Sequence, residues 1–140
     1  MKTYDPSKVV FVFLGSIITG FADGSFIKAA RNEDTYKLTK GAGGEGCRSR
    51  SLNRSGKVTC TLMQSSLSND ILSAAQTLDE LTGAGVGPLL IKDLSGTALV
   101  VAENAWIVKP ADVDFAKEVG SREWIIECDD MIIEGGAIVG

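Results

Sequence analysis

Gly41–Gly46, GAGGEG, fits the G-x-G-x-x-G pattern with which dinucleotide-binding loops cradle a pyrophosphate, and Arg48, Arg50 and Arg54 follow it closely. Such a loop binds phosphate only where an apolar strand feeds it and a helix opens directly behind it, so that backbone N–H groups point at the anion. Here the feeder, RNEDTYKLTK, is polar, and the follower, CRSRSLNRSGK, has no apolar positions at helical spacing. A P-loop is excluded too, because no Gly-Lys-Ser/Thr closes the segment. Lys37–Arg54 is expected instead to form a long, mobile, basic loop.

Other chemistry is equally sparse. Without a single histidine there is no Ser-His or Cys-His pair, so a general base would have to be a carboxylate or a lysine. The three cysteines show no C-x-x-C spacing, which argues against a zinc site and a disulfide framework and for a reducing, cytoplasmic setting. Cys60 and Cys128 lie in phase with apolar neighbours and read as core, whereas Cys47 sits in the glycine-rich loop. Asp129 and Asp130 are adjacent and on a strand would face opposite sides. Glu127 and Asp129 would share a face, which reads as solvated rather than metal-binding. Aromatic residues are too scattered for a base-stacking platform. No catalytic residue, metal site or cofactor is assigned, and the chain is expected not to be an enzyme.

A length of 140 residues suits one domain with a core of its own. The net charge of −4 is unevenly spread. Lysines and arginines crowd into the first part of the chain. Toward the C-terminus Asp112, Asp114, Glu118, Glu123, Glu127, Asp129, Asp130 and Glu134 outnumber Lys109, Lys117 and Arg122. One basic and one acidic end would suit head-to-tail association of copies, and the acidic balance argues against gripping nucleic acid. KVVFVFLGSIITGFA resembles a signal peptide, but Asp5, Pro6 and the Gly15-Ser16 break make a secretory role unexpected, and the run is too short to span a bilayer.

The elements that must position these residues are mostly strands. Val9–Leu14 is a continuous apolar run of strand length, and Phe26–Arg31 follows the turn signal ADGS. In GKVTCTLMQ, Val58, Cys60 and Leu62 point one way and Lys57, Thr59 and Thr61 the other. SNDILSAAQTLDELTG predicts the one helix, capped by Ser68, stopped at Gly83, and packed through a stripe of Ile71, Leu72, Ala75, Leu78 and Leu81 or Thr82. PLLIKDL and TALVVAENAWIVK flank Ser95-Gly96 as a hairpin. SREWIIECDD alternates again, and Ile132-Ile133 form a last apolar pair. The sum is a mostly-β domain, 1–140, with one helix outside: a small sandwich or partly open barrel of about seven strands. Strands with one greasy and one hydrophilic face fit a barrel wall, and a chain with so few could enclose a channel only by pairing open edges with other copies.

KTYDPSKVVFVFLGSIITGFADGSFIKAARNED, LMQSSLSNDILSAAQTLDEL, GPLLIKDLSG, AWIVKPADVDFAKEVGSREW and DMIIEGG together resemble tail tube proteins of contractile-tailed bacteriophages, over nearly the whole chain. The resemblance implies a structural subunit of the virion tail, assembled in the host cytoplasm into homo-hexameric rings that stack into a hollow tube for DNA ejection. It implies two hairpins, roughly Ser25–Tyr36 with Ser55–Gln64 and Ala98–Lys109 with Ser121–Asp130, given to a shared inner barrel. Lys37–Arg54 would be the long tip of the first hairpin. Its Lys40, Gly41, Gly43, Gly44, Gly46, Arg48, Arg50 and Arg54 would contact an adjacent ring. Thr59, Thr61, Glu123, Glu127 and Asp129 would line an acidic lumen, with Lys57 and Ile125 departing from that pattern. Implied partners are a tail sheath protein outside, tape-measure protein and DNA inside, and baseplate and terminator proteins at the ends, with no membrane. A type VI secretion-like tube ring, a tail completion protein and, from another class, a monomeric ligand-binding β-barrel are the alternatives.

Overall fold

Alternation along the central strands sets the frame, since residues two apart share a face and one face here is apolar. The computed structural model describes residues 1–139. Its elements are β1 (Val9–Phe13), β2 (Ser16–Ile18), β3 (Ile27–Arg31), β4 (Tyr36–Lys40), β5 (Gly46–Arg50), β6 (Gly56–Met63), α1 (Ser68–Thr82), β7 (Gly87–Asp93), β8 (Leu99–Ile107), β9 (Ser121–Cys128) and β10 (Met131–Glu134). The main sheet runs β2-β1-β7-β8-β9-β6-β3, with β10 added on β8, and β4-β5 form a separate two-stranded ribbon. The mostly-β, one-helix architecture agrees with the sequence, but there are ten strands rather than about seven. The additional ones are the short β2 and the two ribbon strands, whose residues lack a clear apolar contrast.

Both expected hairpins pair antiparallel, β3 with β6 and β8 with β9. They are joined by β6 and β9, which pair over their full lengths from Gly56↔Cys128 to Met63↔Ser121. Inside that register Val58, Cys60 and Leu62 face Ile126, Trp124 and Arg122, and all are buried. The sheet curls so that Phe11 and Phe13 of β1, Leu89 and Ile91 of β7 and Val100, Ala102, Ala105 and Ile107 of β8 close on the same core. β8 is shared: Leu99–Ala102 pair with β10, and Ala105–Ile107 with β9. The chain therefore bends at Asp129-Asp130 and stays on one partner. Leu14 and Gly15 make the β1–β2 turn with φ of 51° and 79°, the positive values that a two-residue hairpin of the right twist needs.

The helix departs from expectation on two points. Ser68 is its first residue, not its cap. The hydroxyl of Ser68 is buried and accepts from the Thr19 backbone N–H at 3.0 Å, and Leu67 occupies the cap position without a side-chain bond. The buried stripe is Ser68, Leu72 and Gln76 with Ala75 beside them, whereas Ile71, Leu78 and Leu81 are exposed. Packing chose a narrower face because Asn69 docks the helix start. Its amide donates to the carbonyls of Met63 and Ser66, and its oxygen accepts from the Trp124 indole at 3.0 Å. Gly83 ends the helix as expected, with φ 72° and its N–H on the Asp79 carbonyl.

Gly56 sits where β6 crosses the chain bend. A Cβ there would run into the Met131 side chain and lie 2.8 Å from the Ala30 carbonyl oxygen. We expect Gly56→Ala to lower unfolding free energy by about 1–3 kcal/mol, as overpacking does, read from the urea midpoint at unchanged slope.

Candidate functional site

The GAGGEG stretch is a hairpin turn. Strand β4 feeds it, strand β5 leaves it, and no helix follows. Gly41 N–H donates to the Glu45 carbonyl at 2.8 Å, Gly44 N–H to the Gly41 carbonyl at 3.0 Å, and Gly44 takes φ 88°. The segment 37–54, expected as a loop, is thus largely an ordered ribbon, because its backbone groups find partners across five residue pairs from Tyr36↔Arg50 to Lys40↔Gly46. All ten strand residues are exposed. Lys40 ends β4, Gly41, Gly43 and Gly44 make the turn, and Gly46, Arg48 and Arg50 lie in β5. One face carries Tyr36, Leu38, Lys40, Arg48 and Arg50, with the Arg48 guanidinium 4.0 Å from the Tyr36 ring centroid. The other carries Lys37, Thr39, Cys47 and Ser49.

Arg54 belongs to the ribbon's root, not its tip. Its Nε pairs with Asp130 at 3.1 Å. Around it Arg31 Nε donates to the Met131 carbonyl, Asn32 Nδ2 to Ser55 Oγ and Glu127 Oε1, and Ser51 Oγ to Glu33. Sequence reasoning missed Asn32 and Asn69 because nothing in their spacing marks them. Each acts on a segment far away in the chain.

The outer face of the β3-β6-β9-β8 sheet collects the residues singled out on β6 and β9. Register places Thr61 beside Glu123, Thr59 between Lys28 and Ile125, and Lys57 between Ala30 and Glu127, with Trp106 beyond. Lys57 Nζ lies 3.9 Å from Glu127 Oε2. Thr59, Thr61, Glu123 and Glu127 thus share a face with Lys57 and Ile125. Lys28, which sequence reasoning did not assign, joins them, so the strands carry two lysines against two glutamates. Asp129 is not on this strand: β9 ends at Cys128 and Asp129 sits in the bend, its N–H on the Asn104 carbonyl. At the sheet's edges β3 has no partner beyond β6, and Trp106 and Ile107 of β8 pair with β9 alone, among the described residues.

Burial, and secondarily the Glu123 carboxylate, pushes the Cys60 thiol up to about 12, and burial with Glu127 pushes Cys128 up to about 11. Both are inert core groups, and Cys47 is exposed. No three potential ligands cluster for a metal among the described residues. We expect maleimide at neutral pH to label Cys47 alone in the folded protein and all three thiols in guanidinium, counted by mass spectrometry. Unfolded thiols ionise from pH 9 while the buried pair keeps its protons to about 11 and 12, so the pair's contribution to stability falls as pH rises above 9. A Cys60→Ala variant, less stable overall, should show a shallower loss across that window.

A model of the bacteriophage PhiTE tail tube protein family matches residues 15–136. Structural protein ORF10 of Pseudomonas phage KPP10 is 28% identical over 143 aligned residues, covering 96% of this chain and 83% of that protein. Among solved structures, the tube-terminating cap of the anti-feeding prophage is similar with a TM-score of 0.61 at 8% identity, over 97% of this chain and 93% of that one. The sheath/tube terminator of the extracellular contractile injection system PVC is similar with a TM-score of 0.60 at 12% identity, over 96% and 98%. At such identities the structural likeness concerns the fold.

Proposed function

The chain belongs to the bacteriophage PhiTE tail tube protein family, and from that premise we propose that it is the repeating subunit of a contractile tail's inner tube. In this reading it forms hexameric rings that stack into a hollow conduit for DNA, and it does no catalysis. The observation that carries the proposal is the pair of hairpins, β3-β6 and β8-β9, joined into one four-stranded wall with an apolar inner face, a hydrophilic outer face, an open edge at β3 and, on the other flank, the short end of β8 at Trp106-Ile107 left without β7. Edge-to-edge pairing of copies, β3 of one against the end of β8 of the next, closes such walls into a larger barrel and removes the exposed edges.

The outer wall then becomes the bore. Its strands carry Lys28 and Lys57 against Glu123 and Glu127, with threonines between them. Carboxylates beside the cations, as Glu127 lies 3.9 Å from Lys57, weaken the hold of such a bore on DNA phosphates. The acids expected in the lumen, Glu123 and Glu127, are accompanied there by Lys28 and Lys57. Tape-measure protein would precede DNA through it, and baseplate and terminator proteins would cover the ends.

On the outside, Leu67 at the cap and Ile71, Ala74, Leu78 and Leu81 of α1 face solvent at spacings of four and three, with Asp70, Asp79 and Glu80 along the helix. That is the seam a coiled-coil partner packs on, and we assign it to a sheath subunit. The ribbon projects from the wall's end, where it reaches the next ring.

A tail completion or terminator role is the second reading, favoured by the fold's likeness to a cap and a terminator. Growth separates the two, because a terminator makes one ring and stops. Electron microscopy of the purified protein over a concentration series should show hollow tubes that lengthen with concentration. Deleting Tyr36–Arg50 behind a short Gly-Ser closure should leave rings that do not stack. Rings that never lengthen would favour the terminator, and a monomer at every concentration would sink both.

A further inference from the structure

A charged residue stands in line with the core. The buried positions along β9 are Arg122, Trp124, Ile126 and Cys128, so the strand's inner face begins on a guanidinium. Arginine is seldom buried this far without a carboxylate. Arg122 is only 8% exposed, yet no acidic side chain comes within ion-pair distance of it among the described residues. Its two terminal nitrogens donate to the backbone carbonyls of Ser121 and Asp114 at 3.0 and 3.2 Å. Five N–H donors therefore make two bonds. No buried side-chain nitrogen lacks a partner among the described residues, so the unbonded Nε is open to solvent.

Arg122 opens on a cavity of about 410 Å³ between the start of α1 and the loop from β8 to β9. The side chains of that loop divide by parity. Asp112 and Asp114 border the outer wall beside Thr61 and Glu123, where Asp112 pairs with Lys109 at 3.6 Å. Val113 and Phe115 border the cavity instead, with the Phe115 ring centroid 5.7 Å from the guanidinium carbon. Trp124 also lines it, its indole held by Asn69 at 3.0 Å.

The polar groups left over at this cavity are nearly all donors. Gln64 commits its side-chain oxygen to the Gly120 N–H. Its amide nitrogen and the Ser73 hydroxyl, which both line the cavity, bond to no other group among the described residues. With Arg122 Nε they make three donors around one apolar-walled space. Asp70, in the first turn of α1, is the carboxylate at its rim. A bare anion would be repelled by Asp70. The set suits a ligand with a carboxylate for the donors, an N–H for Asp70 and an apolar group for Val113 and Phe115. The last residue of a polypeptide carries all three, and the volume falls within the range of small-ligand pockets.

We propose that this cavity captures the C-terminal residue of a partner polypeptide. Its carboxylate sits on Arg122 with Gln64 and Ser73, its backbone N–H on Asp70, and its apolar side chain against Val113 and Phe115. Packing has already removed most of the water from the guanidinium, so a carboxylate gains a charge-assisted bond there at little further desolvation of the cation. The site lies on the helix side of the wall, away from the ribbon and from the charged outer face. It is therefore independent of how copies of the chain assemble.

N-acetyl-L-leucine has the carboxylate, the N–H and the apolar body of a C-terminal residue and serves as the probe. Its binding is read by saturation-transfer NMR on the intact protein, whether assembled or not. Saturable binding is expected, about tenfold or more weaker for N-acetyl-L-leucinamide, which lacks the charge. Arg122→Gln should erase the difference between acid and amide. Ser73→Phe, at an exposed helix position, should block both ligands while circular dichroism stays unchanged, and it carries the test if loss of Arg122 loosens the loop. Equal binding of acid and amide, no saturable binding of the acid, or binding that survives Ser73→Phe would overturn the site. Tighter binding of N-acetyl-L-glutamic acid α-amide would give the pocket to an acidic side chain and overturn the C-terminal assignment. Tube growth in the microscope is a separate readout, so the tube reading stands or falls apart from this one.

Discussion

The antiparallel register between β6 and β9 is the constraint on which the rest of the molecule depends. It runs the full length of both strands, from Gly56↔Cys128 to Met63↔Ser121. Through it, two hairpins distant in sequence become a single wall with an apolar side and a wet side. A slip of one residue would turn Val58, Cys60, Leu62, Trp124 and Ile126 to solvent and bring Lys57, Glu123 and Glu127 inside. The core specifies the register, and the register places the outer face of the wall and the root of the ribbon. Gly56 allows the closest approach in this joint, where the Met131 side chain and the Ala30 carbonyl fill the space that a side chain would need.

From that joint follows a molecule with two unlike ends. The ribbon is an extension of β3 and β6, rooted by Asn32, Arg54, Glu127 and Asp130. The β8–β9 loop lies beyond the other end, fastened by Gln64 and Arg122. The open edges lie at the sides. Exposed edges carry a risk of uncontrolled pairing. Here β2 is only three residues long, and β3 carries Lys28 and Arg31, both devices that blunt an edge.

Much of this frame was legible beforehand. The alternation in GKVTCTLMQ and SREWIIECDD foretold both the strands and their faces, because period two is a property of the local chain. The hairpin at Ser95-Gly96 and the helix stop at Gly83 were legible for the same reason, since turn chemistry is local. The ribbon was not. YKLTK and GCRSR carry no apolar contrast between faces, so their strand character comes from cross-strand backbone pairing. The helix misled in another way. Its apolar positions extend around more than one face, and the sequence could not say which one Asn69 and Trp124 would turn inward.

Sequence alone therefore determined the class of fold, the strand faces around the core, and the inert placement of Cys60 and Cys128. All of these depend on residues a few positions apart. Only the tertiary structure decided what each charged group faces. Glu127 and Asp130 look in sequence like Asp112 and Asp114, yet the first two are bonded at the ribbon's root, whereas Asp112 pairs with Lys109 at 3.6 Å and lies with Asp114 beside Thr61 and Glu123. The difference lies in long-range register, which sets what each carboxylate faces across strands distant in the chain.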